Sequence, residues 1–375
     1  MSVFMNYILK NLIGLDRGEL ALEMEAFGEK AFRAKQLWHW IYHQGETDFS
    51  KMTTLSKSVR LRLSDHYCLE RPEKSQELYS ADKSRKWLLK FEDLNEAECV
   101  FIPEDDRGAL CLSSQIGCTL NCSFCHTGTQ KLVRNLTAQE IVSQLMVARD
   151  TYSEWPSGRK DRLLTNIVMM GMGEPLFNFE QVSKALKIIM DGDGLAISRR
   201  RITLSTAGVV PLMERCGNEL GVNLAVSLHA STDELRDTLV PINRKFPIKD
   251  LLEACQAYPG ANNARRITFE YAMLKGINDS DADAQKLIRL VKNIPAKFNL
   301  IPFNPWPGTV YECSSSKTIQ RFAKILNDGG LSAPIRQPRG RDIMAACGQL
   351  KSASERVGRR IKQNHSQASK DTAVF

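Results

Sequence analysis

Apolar and polar positions follow three different rhythms along this chain, and each rhythm predicts its own kind of element. In the first seventy residues the rhythm is helical. Asp16 and Glu19 have the spacing of an N-cap and its capping-box partner, opening a helix that should stop near Gly28. A second helix is expected over 29–44, with Ala34, Leu37, Trp38 and Ile41 at helical spacing and Gly45 past its end. A third is expected over 55–67, where Leu55, Val59 and Leu63 share a face that excludes Lys57, Arg60 and Arg62. Such a bundle serves either as a packing appendage or, with its basic and aromatic faces, as a nucleic-acid adaptor.

From about Glu77 to Ser114 the rhythm changes to period two, as in Trp87, Leu89 and Phe91, with turn-like DLNEA and EDDRG between the runs. This predicts a short antiparallel meander. Beyond Gly117, apolar strands alternate with helices: strands at 166–171, 201–205, 222–228, 266–274 and 298–303, and helices near 137–150, 181–190 and 318–326. Counting 109–114 as the first strand gives six βα units. The expected class is α/β, either an open partial (βα)6 barrel or a doubly wound sheet, with ligands at the carboxyl ends of the strands. The corresponding division is a helical N-terminal unit (1–72), an antiparallel β extension (73–108), the βα unit (109–350) and a basic, flexible tail (351–375).

Composition narrows this only a little. The 375 residues are 43% hydrophobic and 25% charged, an ordinary globular profile. No run of about 18 uncharged apolar residues occurs. The moderately apolar start lacks a basic leader and a small-residue cleavage site, so the chain reads as mature and cytoplasmic. The net charge of +8 is concentrated between Arg336 and Lys362, where eight basic residues face only Asp342 and Glu355. That stretch is either a solvated tail or a contact for a polyanion.

Ten cysteines are too few for a disulfide scaffold of this length. Their spacing carries more information. Cys118, Cys122 and Cys125 form CxxxCxxC directly after the first parallel strand. Three thiolates there select zinc, with His126 as the nearest fourth ligand, or an iron-sulfur cubane that keeps one iron open.

This arrangement at the end of the first strand of a six-unit βα domain resembles the radical S-adenosylmethionine (SAM) superfamily. The strings SSQIGC, RNLT, VMMGMGEP, RRITLSTAG, SLHA, VPIN, IPFNP and AACGQL resemble, in order, the RlmN/Cfr family of radical SAM RNA methyltransferases. FIPEDDRG and the helical N-terminal region favour the RlmN branch over Cfr. The resemblance covers about residues 15–350.

The resemblance implies a [4Fe–4S] cluster on Cys118, Cys122 and Cys125, with its open iron chelating SAM. It further implies SAM contacts at Gly173, Glu174, Ser205, Ser227, Leu228, His229 and Asn304. Two SAM molecules are used per turnover. One methylates Cys347, and the other gives a 5′-deoxyadenosyl radical that takes hydrogen from the methylcysteine. The methylene radical adds to an adenosine carbon, Glu98 accepts the displaced proton, and Cys111 releases the product by forming a transient disulfide with Cys347. Small residues around Cys347 suit a mobile loop.

The implied reaction is methylation of adenosine carbon 2 in 23S ribosomal RNA and in tRNA, by a monomer drawing electrons from a flavodoxin-like donor. Alternatives are the carbon-8 specificity of Cfr, a radical SAM enzyme acting on another substrate, or a non-catalytic RNA-binding protein with a zinc site. The loop HTGTQ (126–130) is given no role. Cys68, Cys99, Cys216, Cys255 and Cys313 match no functional position and read as structural.

Overall fold

The computed structural model describes residues 9–105 and 107–355. Arg356, Arg359, Arg360 and Lys362 of the basic stretch, and most of the expected tail, lie outside the described residues. No described helix is long and apolar enough to cross a membrane.

Three helices come first: α1 (Arg17–Ala26), α2 (Phe32–Trp38) and α3 (Lys57–His66). The Asp16–Glu19 capping box forms, and Leu20 and Met24 of α1 are buried. The expected single helix over 29–44 is shorter. Ala31 offers no capping side chain, so α2 starts late, and a π-type turn at His39–His43 follows it, burying both Ile41 and Tyr42. Arg17 and the Trp38 indole both bind Asp191, at 2.7 and 3.2 Å, fixing this unit against the βα unit.

Three antiparallel strands follow, β1 (Glu73–Tyr79), β2 (Arg85–Lys90) and β3 (Glu96–Pro103). Then come six parallel strands: β4 (Gly108–Cys111), β5 (Leu164–Met169), β6 (Ile202–Thr206), β7 (Asn223–Ser227), β8 (Ile267–Met273) and β9 (Ala296–Pro302). All nine lie in one sheet in strict chain order. A doubly wound sheet would reverse direction at a switch point. Here every crossover moves one strand the same way, so the sheet is a partial (βα)6 barrel extended by the meander.

The crossover helices are α4 (Ala138–Tyr152), α5 (Phe179–Met190), α6 (Val210–Leu220), α7 (Asp233–Leu239), α8 (Ile248–Gln256) and α9 (Asp281–Leu290), and α10 (Ser316–Asp328) follows the last strand. Helix α4 is held at its start by a second capping box, Thr137 with Glu140. Strand β4 is shorter than the expected 109–114. Past Cys111 the chain leaves the ladder, because the Ser113 amide and carbonyl bind the Gln144 side chain and its hydroxyl donates to the Glu98 carbonyl at 2.6 Å.

Register decides what faces what. Cys111, Val168, Thr203 and Asn223 form one row across the parallel strands, and Ser227, Glu270 and Asn299 form another. Alternation places both rows on one face of the sheet. The row continues into the meander through Val100 and Lys86.

Candidate active site

The cysteine loop is wound tightly by backbone contacts. The Cys118 amide donates to the Gln130 carbonyl at 3.1 Å, and the Cys125 amide to that of Cys122 at 3.1 Å. Gly117, at φ +75°, passes so close to Lys131 that a Cβ would stand 2.3 Å from its carbonyl oxygen. Only glycine fits there.

Cys118, Cys122 and Cys125 line one cavity at the carboxyl ends of the parallel strands. Burial raises all three thiols, Cys118 to about 12. Left to themselves they would stay protonated, so they need a cationic group to become thiolates. No three His, Cys, Asp or Glu side chains among the described residues converge on a single ion. Thiolates of one tetrahedral zinc would stand only about 3.8 Å apart, given Zn–S bonds of about 2.3 Å. Three soft donors lining one cavity suit an iron-sulfur group that leaves one iron open. His126 does not complete a zinc set: its ring stacks on Trp306 at 4.9 Å, and its Nδ1–H donates to the Gln349 carbonyl at 3.1 Å.

The opposite wall is built from strand ends. Gly173, at φ +96°, lies against Gln115, whose side chain accepts the Glu174 amide at 2.9 Å. The Glu174 carboxylate accepts from the amides of Leu176 (3.0 Å) and Ala207 (2.8 Å), joining the loops after β5 and β6. Burial pushes its pKa up to about 7 against these hydrogen bonds. His229, at φ +58°, accepts the Ala272 amide on Nδ1 at 3.0 Å, with Phe124 of the cysteine loop edge-on at 4.6 Å. Burial holds its pKa down at about 3, so the ring is neutral.

Ser205, Ser227, Asn304 and Cys347 also line this cavity; Leu228, Cys111 and Glu98 do not. The Leu228 side chain is fully buried in the core, and its amide goes to the Glu270 carbonyl. Its carbonyl accepts from the Ala230 amide (2.8 Å) and from Arg236 (3.1 Å), so Leu228, expected to touch SAM, has no free polar group with which to do so. Asn304 does more than face the cavity: it donates to the Cys347 carbonyl at 3.2 Å and accepts from Arg341 at 2.7 Å.

Cys347 is exposed, on a strap running from Gly340 to Glu355. Its alanine neighbours are not loose as the sequence suggested; Ala345 and Ala346 are 5% and 4% exposed. The strap is bound on two sides. On the cysteine loop, the His126 amide donates to the Gly348 carbonyl (2.7 Å), the Thr127 hydroxyl to Leu350 (2.5 Å), and the Gln130 amide group to Ser352 and Ser354 (3.0 and 2.9 Å). On the meander, Lys86 donates to the Met344 carbonyl (3.1 Å), and Glu98 accepts the Lys351 amide (2.9 Å). The HTGTQ loop is therefore the seat of the strap.

Glu98, named as proton acceptor by the resemblance, is 6% exposed and paired with the equally buried Lys86 at 2.8 Å. Burial raises its pKa, while Lys86 and the Lys351 amide pull it back. It lies two residues from Val100, which is in register with Cys111, so Glu98 and Cys111 share the face that the strap covers. Burial and the neighbouring Cys347 thiol hold the Cys111 thiol well above its usual range.

Three participants were not read from the sequence. Lys86 sits in the polar phase of the β2 alternation and looked solvent-facing. Glu270 lines the cavity, buried, with Asn299 donating to it at 2.9 Å. Arg236, fully buried, donates to the carbonyls of Ala207 (2.7 Å), Ser227 (3.0 Å) and Leu228 (3.1 Å) and to Asn243 (2.9 Å). It lies just before VPIN, the only signal that could have marked it.

Residues 10–69 match the ribosomal RNA large subunit methyltransferase N-terminal domain, and residues 112–288 match the radical SAM superfamily. The chain is 64% identical to the dual-specificity RNA methyltransferase RlmN of Rhodospirillum rubrum, over 95% of this chain and 83% of that protein. It is 61% identical to that of Gluconobacter oxydans, over 93% and 87%. A solved radical SAM methyltransferase from Sphaerobacter thermophilus superimposes with a TM-score of 0.85 at 42% identity, covering 91% of this chain and 99% of that one.

Proposed function

This chain belongs to the RlmN family of radical SAM RNA methyltransferases, and from that premise we propose that it methylates carbon 2 of adenosine in 23S ribosomal RNA and in tRNA. Family membership leaves no place for the zinc-only RNA-binding reading. The observation that carries the proposal is the seat of Cys347, at the rim of the cavity that holds the three cluster thiols and beside the sheet face bearing Glu98 and Cys111.

Adenine carbon 2 is electron-poor, so direct delivery of CH3+ is disfavoured and a carbon radical is the better partner. When bound, the cluster on Cys118, Cys122 and Cys125 supplies the electron that cleaves SAM to a 5′-deoxyadenosyl radical. The chain's own residues do the rest. Gly173, Glu174, Ser205, Ser227, His229 and Asn304 hold SAM at the strand ends. Neutral His229 offers a fixed hydrogen-bonding group, and Glu174 is held in place by the amides of Leu176 and Ala207.

The Cys347 sulfur, as thiolate, accepts a methyl group from one SAM, which leaves as S-adenosylhomocysteine. Its S-methyl then loses a hydrogen atom to the 5′-deoxyadenosyl radical, and the methylene forms the new bond to carbon 2; the adduct must also give up one electron, which the oxidised cluster, when bound, would take back. Glu98, kept available as a carboxylate by Lys86, takes the proton from carbon 2 as aromaticity returns. The Cys111 thiolate attacks the Cys347 sulfur: an S–S bond forms, the S–CH2 bond breaks, and a proton completes the methyl group on the base. An external thiol reductant then restores both cysteines.

The reading extends to a cytoplasmic monomer fed by a flavodoxin-like donor, with 1–72 as an accessory unit, 73–108 as an extension and 109–350 as the catalytic unit; residues 351–355, expected to begin the tail, belong to the strap instead, because Lys351, Ser352 and Ser354 are bound in it. The test is anaerobic reconstitution with SAM, reductant and a 23S ribosomal RNA fragment, followed by nucleoside mass spectrometry and NMR. The expected product is 2-methyladenosine, with Cys347→Ala inactive. An 8-methyl product, or methylation by the Cys347→Ala variant, overturns the proposal.

A further inference from the structure

At the amino ends of the parallel strands, opposite the cluster cavity, a second cavity of about 600 Å³ opens between β4, β5 and β6. Five of its eight lining residues are cations: Arg107, Arg159, Lys160, Arg162 and Arg201. They come from three separate segments, the turn before β4, the segment before β5, and the 3-10 turn before β6. Arg107 is paired with Glu104, and Arg159 with Asp161. Lys160, Arg162 and Arg201 form no ion pair among the described residues. Like charges gathered this way repel one another, and the described contacts give them no acid to offset it.

The location adds a second argument. Asn166 lines this cavity, Val168 follows it on the same face of β5, and Met170 lies one residue past the end of the strand. Met170 lines the cluster cavity. Four residues of chain, about 13 Å at about 3.3 Å each, therefore separate the cationic pocket from the cavity that Cys347 overlooks. A nucleotide whose base is drawn out of its stack toward Cys347 leaves its polyanionic backbone outside the barrel. Unpaired guanidinium groups are suited to bidentate phosphate contacts there.

We propose that the pocket formed by Lys160, Arg162 and Arg201 grips phosphates of the RNA strand flanking the target adenosine. This rests on the reading of the protein as an RNA methyltransferase, but its test needs only binding.

Cluster-loaded protein is titrated onto a fluorescently labelled 23S ribosomal RNA fragment at several salt concentrations. Arg162→Glu/Arg201→Glu should weaken binding at least tenfold and flatten the slope of log affinity against log salt by about 2, roughly one per cation removed. Arg162→Gln/Arg201→Gln should show the same slope change with a smaller loss. Lys286→Glu/Lys317→Glu makes the same change in net charge on the exposed outer helices α9 and α10 and should leave the slope unchanged. Unfolding midpoints of all variants, matching the parent's, show that loss of binding is not loss of fold.

Binding by either pocket variant with the parent's slope, or an equal loss in the helix control, overturns the pocket. A parent protein that binds RNA through this pocket yet never methylates it overturns the functional proposal alone. A parent that binds no RNA overturns both.

Discussion

The Glu98 carboxylate accepts a 2.9 Å hydrogen bond from the backbone amide of Lys351, four residues past Cys347. A strand glutamate and the strap carrying the exposed thiol are thus one structural unit, joined across 253 residues of chain. The group proposed to take a proton is fixed to the segment proposed to carry the methyl group, so moving one disturbs the other.

Glu98→Gln should slow RNA methylation by about 10² to 10⁴, the usual contribution of a positioned base, while methylation of Cys347 itself continues. Peptide mass spectrometry should find the mass of one added CH2 on the Cys347 peptide. Because burial raises Glu98 and only the ionised form accepts a proton, the parent's single-turnover rate should climb with pH through a value above the ordinary glutamate pKa of about 4.3. A rate flat across that limb would show that another group takes the proton.

Lys86→Met removes the cation beside a buried carboxylate. Loss of one partner of a buried pair costs about 3–5 kcal/mol if the other stays charged, and less here because Glu98 can take up a proton. The sign is fixed by burial: a folded-state pKa raised further leaves the variant's stability intact at low pH and erodes it as pH rises through that value. Urea denaturation at several pH values should show this widening deficit, and the acidic limb of the rate profile should move to higher pH.

Arg236→Met would leave the carbonyls of Ala207 and Ser227 and the Asn243 side-chain oxygen without this buried donor, while the Leu228 carbonyl keeps the Ala230 amide. At about 1–3 kcal/mol for each group left unsatisfied, the loss should be at least about 3 kcal/mol by denaturant unfolding, and SAM affinity should fall because two strand-end loops lose their tie. Arg236→Lys, with one ammonium for four acceptors, should recover only part of either property. A parent-like SAM affinity in Arg236→Met would show that these loops need no such anchor.

Gln130→Leu removes the bonds to Ser352 and Ser354 while keeping the volume of the buried side chain. Amide exchange over 347–354 should quicken about tenfold or more, equivalent to about 1.4 kcal/mol of local opening. RNA methylation should drop while the iron content stays that of the parent, since the cysteine loop keeps its own turns. Unchanged exchange would place the hold on the strap elsewhere.

Much of the catalytic unit was legible from sequence because its rules act over a few residues. The capping boxes at Asp16 and Thr137, the apolar runs of β5 to β8, and the turn that gathers Cys118, Cys122 and Cys125 each depend on neighbours within a turn or a strand. Where such local signals were missing, the reading slipped. Ala31 could not cap a helix, and the strand expected to reach Ser114 stops at Cys111, where Gln144 and Glu98 capture Ser113.

What tertiary structure alone decided was which polar residues would be buried, and against what. Lys86 and Glu98 have the polar phase of an ordinary meander, and Arg236 the look of a charged helix residue. The strict strand order brings the C-terminal strap back over β2 and β3, seals Lys86 and Glu98 beneath it, and closes the loops after β6 and β7 around a buried guanidinium. Such partners lie up to 258 residues apart. No periodicity spans that distance, because helix and strand rules fix only which face a side chain occupies, while closure of the chain decides whether that face meets water or another segment.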